Sequence, residues 1–107
     1  MTKQSNWDTL KALDIFQAAY VECACWTENI PFCTNEELRA MRIDCVEFMA
    51  QGRLLLQDLD IAQCGHDFWL TRNGHGVGFW DRGYKDYISK GLTELSKSFG
   101  EFNIFGD

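Results

Sequence analysis

Apolar residues recur along the first half of the chain at intervals of three and four. Trp7, Leu10, Leu13, Phe16, Tyr20 and Cys23 form one row, and Ala12, Ile15, Ala19 and Trp26 form a second beside it. Two adjacent rows predict a helix over residues 6–26 that is buried over a wide arc. Ser5 or Asn6 can cap its start, and Asp8 falls in its first turn. Residues 27–33, TENIPFC, read as a connector in which Pro31 pushes Ile30 out of helical geometry. Thr34 and Glu37 then form a capping box, with Cys33 and Leu38 at the hydrophobic-staple positions. The second helix runs from Asn35 towards Leu59. Its residues Leu38, Met41, Cys45, Phe48, Gly52, Leu55 and Leu59 make an a/d stripe, the seam of an antiparallel helix pair. Glycine costs about 1 kcal/mol inside a helix, so at Gly52 either the helix breaks or a neighbour's backbone comes close.

The pattern then changes. Residues 67–72 (DFWLTR) and 77–82 (VGFWDR) are rich in strand formers, and Asn73-Gly74 between them is a strong hairpin signal. A two-residue turn pairs Arg72 with His75, and a four-residue loop pairs Arg72 with Val77. Both registers divide the side chains the same way, because strand residues alternate between faces. One face carries His66, Phe68, Leu70, Arg72, Val77, Phe79 and Asp81 and should lie on the helices. The other carries Asp67, Trp69, Thr71, Gly78, Trp80 and Arg82. In the four-residue register Trp69 faces Trp80 and Asp67 faces Arg82, with Gly78 leaving a notch beside the Trp pair. The two Trp are then either covered by another element, such as the final helix, or form an exposed aromatic patch. Residues 84–98 return to a helical pattern through Tyr84, Tyr87 or Ile88, Leu92, Leu95 and Phe99, with Gly100 as the stop. In the tail 101–105, Phe102 and Ile104 alternate with polar residues as a third strand would. The expected fold is α+β in a single domain over residues 1–107: an antiparallel helix pair, a β-hairpin, a helix and a short third strand.

Charge narrows the partners. The net charge is −6 and the pI about 4.8, so a general electrostatic footprint for nucleic acid is absent and nucleic acid is disfavoured as a partner. Residues 1–64 carry ten acids against five bases, so the helical half is the negative half. Glu37, Asp44 and Glu47 share a helix face, but Arg39 and Arg42 interrupt it, which fits a solvated face better than a nucleic-acid mimic. No apolar run approaches the ~18 residues of a membrane span, and MTKQSNWDTL lacks a signal-peptide core. A cytosolic protein is expected, with its five cysteines reduced and mostly buried.

Candidate chemistry is sparse. Cys64, His66, His75 and Asp81 could be metal ligands, but they do not form two tight ligand pairs, and a hairpin puts the two His at opposite ends. No Cys stands in a nucleophile context, and nothing ties His66, Asp67 and His75 to acid–base work. Gly-rich NGHGVG does not open a helix and is not a phosphate loop. No catalytic residue, metal or cofactor is therefore assigned, and the reading leans away from an enzyme. The candidate binding residues are Asp67, Trp69, Thr71, His75, Trp80 and Arg82.

The block GHDFWLTRNGHGVGFWDRG, residues 65–83, closely resembles a core shared by small proteins encoded mainly by bacteriophages and prophages. In those proteins a helical N-terminal half precedes the block, and an amphipathic helix and a short strand ending near Gly-Asp follow it, as FNIFGD does here. The resemblance supplies no catalytic residues. It implies a phage accessory protein in the cytoplasm of a bacterial host that binds a host or phage protein and inhibits a host factor or defence system. A homodimer through the a/d seam is compatible with this. The alternative is a small hydrolase or nucleic-acid-handling protein using the His, Asp and Arg of residues 65–83. Plasmid antirestriction proteins are similar in pattern only, with two aromatic strands around an Asn-Gly in a small acidic domain.

Overall fold

The computed structural model describes residues 7–104. Five helices follow one another: α1 (Leu10–Glu28), α2 (Asn35–Gln51), α3 (Arg53–Leu56), α4 (Ile61–Arg72) and α5 (Asp86–Ser98), with a single 3-10 turn, Phe79–Asp81, between the last two. Among the described residues there is no strand. The expected α+β fold, with its β-hairpin and third strand, is thus replaced by an all-helical one.

The first helix starts at Leu10, later than expected, which leaves Asp8 ahead of its first turn, and α2 starts at Asn35 as expected but ends at Gln51. Thr9 caps α1 by accepting the Ala12 N–H at 3.0 Å, while the cap expected at Ser5 or Asn6 lies outside the described residues. The helix runs past residue 26 and closes where Asn29 takes a left-handed φ of 55°. The centre of its two apolar rows is buried, from Ala12 and Phe16 to Cys23 and Ala24, whereas Leu10 and Trp26 at the margins are exposed. The capping box opens α2 as expected: Thr34 Oγ1 accepts the Glu37 N–H at 3.1 Å, and the Glu37 carboxylate accepts the Thr34 N–H at 2.8 Å. Gln17 reaches Leu38, Asp14 reaches Arg42 and Asp8 reaches Arg53, so α2 runs antiparallel to α1. Met41, Cys45 and Phe48 of the a/d stripe are buried within the chain, so the stripe packs on the chain's own core. At Gly52 the helix does break, and α3 begins.

The main correction concerns residues 61–72. Asp60 accepts the Gln63 N–H at 2.9 Å and starts α4, which takes in the whole of DFWLTR. The Asn-Gly pair ends this helix. Gly74 has φ 73°, the Gly74 N–H donates to Thr71 O at 3.3 Å, and the His75 N–H donates to Leu70 O at 3.0 Å. This is the Schellman arrangement, in which a residue with positive φ satisfies the last carbonyls. A hairpin turn and a helix end both need that left-handed glycine, so the dipeptide alone cannot separate them. Helical geometry also buries both of the strand parities. Asp67, Phe68, Trp69, Thr71 and Arg72 are all inaccessible, as expected of a central helix surrounded by neighbours.

Helix α1 packs chiefly on α4 and runs in the same direction. Trp7 Nε1 donates to Leu59 O at 3.2 Å, Tyr20 packs on Phe68 and Trp69, and Trp69 Nε1 donates to Thr27 Oγ1 at 2.8 Å. Phe68 is the centre of the aromatic core. It stacks on Phe48 with centroids 4.1 Å apart and also meets Phe16, Tyr20 and Phe99. Helix α5 covers this core through Ile88, Leu92, Leu95 and Phe99, while Tyr87 faces solvent. The tail at residues 101–104 is not a strand. Phe102 instead packs near Trp69, and its N–H donates to Asn73 Oδ1 at 2.9 Å. Phe105 lies outside the described residues. No described helix is long and apolar enough to cross a membrane.

The close approach of α1 and α4 depends on Gly65. A Cβ there would stand 2.3 Å from Phe16 O and 3.0 Å from Ala19 Cβ. In an open helix Gly→Ala stabilises by about 1 kcal/mol, but here backbone must move, and overpacking costs about 1–3 kcal/mol. Gly65→Ala is therefore expected to lower the free energy of unfolding, as measured by urea denaturation followed by circular dichroism.

Candidate functional site

The segment from Asn73 to Lys85 does fold back on the residues before it, but along a helix. Gly78 lies against Thr71, Arg82 against Asp67, and Tyr84 against Cys64. Positions 64, 67 and 71 share one face of α4, because they are spaced three and four apart. The Asp67–Arg82 pairing expected across a hairpin is therefore present without any sheet.

That pairing clamps the returning segment. Arg82 Nε donates to Asp67 Oδ2 at 2.9 Å, and Nη2 donates to Oδ1 at 2.6 Å. The Asp67 side chain is fully buried, whereas the Arg82 side chain is 27% exposed. Hydrogen bonding to Asp67 pushes the Arg82 pKa up, and burial partly opposes this. Two further bonds shape the segment: the Gly78 N–H donates to Asp81 Oδ2 at 3.0 Å, and the Asp81 N–H donates to Gly78 O at 3.0 Å. Phe79 is thereby driven into the core, stacked 5.9 Å from Phe48.

The two Trp expected as a facing pair are separated. Trp69 is 1% exposed and belongs to the core, since in a helix it projects far from the face shared by Asp67 and Thr71. Trp80 is 43% exposed. Its ring lies over Gly78 and fills the expected notch: a Cβ on Gly78 would come within 2.7 Å of Trp80 Cζ3 and 2.4 Å of Thr71 Oγ1. Val77 beside it is exposed and His75 half-buried. Of the six candidate binding residues, Asp67 and Thr71 thus lie beneath the segment, and Trp69 is core on another side of α4, against Tyr20 and Phe102. His75, Trp80 and Arg82 remain at the surface to some degree.

The ligand types considered for a metal are dispersed. Cys64 is buried, and Asp81 turns back to Gly78. His66 sits on the outer side of α4, with Nε2 3.1 Å from Glu22 Oε1. His75 lies beyond the helix end, with roughly 10 Å of helix rise between His66 and the cap at Asn73. Among the described residues no three or more His, Cys, Asp or Glu form a group that could hold a metal ion.

A second polar centre was not legible in the sequence. The Arg72 guanidinium is buried, and four bonds hold it. Nε donates to Gly100 O at 2.8 Å, Nη2 to Phe99 O at 3.1 Å, and Nη1 to Tyr20 Oη at 3.0 Å and Asp44 Oδ2 at 2.7 Å. The Phe68, Phe99 and Phe102 rings lie 5.3–5.7 Å from its Cζ. It therefore satisfies the Phe99 and Gly100 carbonyls that follow α5 and ties α1 and α2 to them. Burial, partly opposed by Arg72, pushes the Tyr20 phenol up. The signal that could have revealed this centre is the four-residue spacing of Cys64, Phe68 and Arg72, which continues a helix from the Asp60 cap.

A scan against protein-family models, a search of curated proteins and a search of solved structures each found no match to the chain.

Two outcomes are expected. Removing Arg82 strands a fully buried carboxylate, and breaking such pairs costs about 3–5 kcal/mol. Removing Asp67 leaves a guanidinium that can turn to water, so Arg82→Ala should destabilise more than Asp67→Ala. The double variant should be more stable than Arg82→Ala, as read by denaturant titration.

The second outcome concerns pH. Burial first, and nearby carboxylates second, push the Cys23 thiol up to about 11 and the Cys64 thiol up to about 12, from ordinary values near 9. A pKa raised on folding stabilises fully below the unfolded value and is lost as pH rises through the folded one. The urea midpoint should hold to about pH 8.5 and fall between pH 9 and 12. Cys64→Ala should show a shallower fall.

Proposed function

We propose that the chain is a phage-type accessory protein that works as a protein-binding module, engaging a host or phage protein through the surface at His75, Val77 and Trp80. The observation that carries this reading is Trp80 itself, a large aromatic left 43% exposed on a segment that is clamped at Thr71, Asp67 and Cys64. Exposed aromatic anchors dominate many interfaces, and a contact held in place before binding loses little entropy on docking. The fit with an inhibitor of a host factor or defence system comes from the phage-core resemblance of residues 65–83. A hydrolytic reading has less support, because Asp67 is satisfied by Arg82 and His66 is paired with Glu22 away from His75.

The test is a quantitative pull-down from host lysate with wild type, Trp80→Ala and Trp26→Ala. Trp26 is 79% exposed near the C-terminal end of α1 and serves as the control. Trp80→Ala is expected to lose at least ten-fold of a specific partner that Trp26→Ala retains. Equal capture of that partner by a folded Trp80→Ala protein would refute the Trp80 surface.

A further inference from the structure

The described cysteines are all free thiols, and two of them meet. Cys25 Sγ and Cys33 Sγ are 3.8 Å apart. Cys25 is half-buried in the last turns of α1, and Cys33 is buried directly before the Thr34 cap of α2. Their side chains therefore face each other across the connector, at the end where the antiparallel α1 and α2 are joined. The other thiols lack this arrangement: Cys23, Cys45 and Cys64 are buried at apolar positions of three different helices.

We propose that Cys25 and Cys33 form a dithiol site that reacts with small-molecule disulfides of the glutathione type and closes to an intramolecular disulfide. The Cys25 thiol loses its proton to water and its sulfur attacks one sulfur of the small disulfide. One S–S bond breaks, one forms, and one thiolate leaves, which water reprotonates. Cys33 then gives up its proton and attacks the Cys25 sulfur, releasing the second small thiol. Overall two protein thiols are oxidised to one disulfide, and one small disulfide is reduced to two thiols. Exposure sets the order, because only Cys25 is open enough to meet the reagent, while the buried Cys33 acts on the mixed disulfide once it stands beside it. Burial and the Cys25 neighbour push the Cys33 thiol up to about 12, so the second step should accelerate with rising pH. Closure would tie the connector at both ends and hold the exposed side chains of Trp26 and Phe32 between the joined positions. This inference is independent of the Trp80 surface.

The test is incubation of the folded protein with oxidised glutathione, followed by intact-mass and peptide mapping. Wild type is expected to lose about 2 Da, the two hydrogens of disulfide formation, with Cys25 joined to Cys33. Cys33→Ala is expected to stop at a glutathione adduct on Cys25, and Cys25→Ala to give neither product. Circular dichroism of each variant confirms its fold. A stable adduct on wild-type Cys25, a bridge involving another cysteine, or no reaction at Cys25 would each overturn the proposal. Closure that persists in Cys25→Ala would do the same.

Discussion

A guanidinium cannot be buried without partners, and Arg72 is buried at the end of the central helix. Its partners come from every direction: Tyr20 from α1, Asp44 from α2, and the Phe99 and Gly100 carbonyls that follow α5. Backbone carbonyls turned towards the core where a helix has ended also need donors. One side chain thus meets two requirements at once, and it can do so only when four elements are in place together. The same helix carries Asp67, whose buried carboxylate needs Arg82 from the returning segment. The buried charges of α4 therefore set where α5 ends and where the 73–85 segment runs. Phe68 lies between them and fills the space with aromatic contacts.

This arrangement links the fold to the surface proposed for binding. Gly78 rests on Thr71, Phe79 enters the core, and Asp81 turns back to the Gly78 N–H. Trp80, one residue further on, is then left over Gly78 with part of its ring in solvent. Its position follows from packing on both sides of it, so its exposure is a property of a well-packed segment.

The helical elements with strong local signals were legible. The Thr34–Glu37 box, the α2 stripe and the Leu92–Leu95–Phe99 face of α5 each rest on contacts within one or two turns. Residues 61–72 were not legible as a helix, because aromatic and β-branched side chains favour strands in isolation and Asn-Gly serves a hairpin as well as a helix end. The partial success is informative. Asp67 meets Arg82, and Thr71 meets Gly78, as a hairpin register would have them, because residues four apart share a face in both a helix and a strand. Trp69 lies between Asp67 and Thr71 in sequence. It shares their face only in a strand, so its pairing with Trp80 was lost.

By itself the sequence determined the Thr34–Glu37 cap and the apolar stripes of α1, α2 and α5. These depend on spacing and on short-range backbone hydrogen bonds. Only the tertiary structure decided that α4 is a helix, that Trp69 is core and Trp80 surface, and that Cys25 faces Cys33. Those outcomes depend on which neighbour fills each side of α4, and on Gly65 letting the α1 backbone approach. No local window of the chain contains that information, because the residues that decide it are separated by dozens of positions.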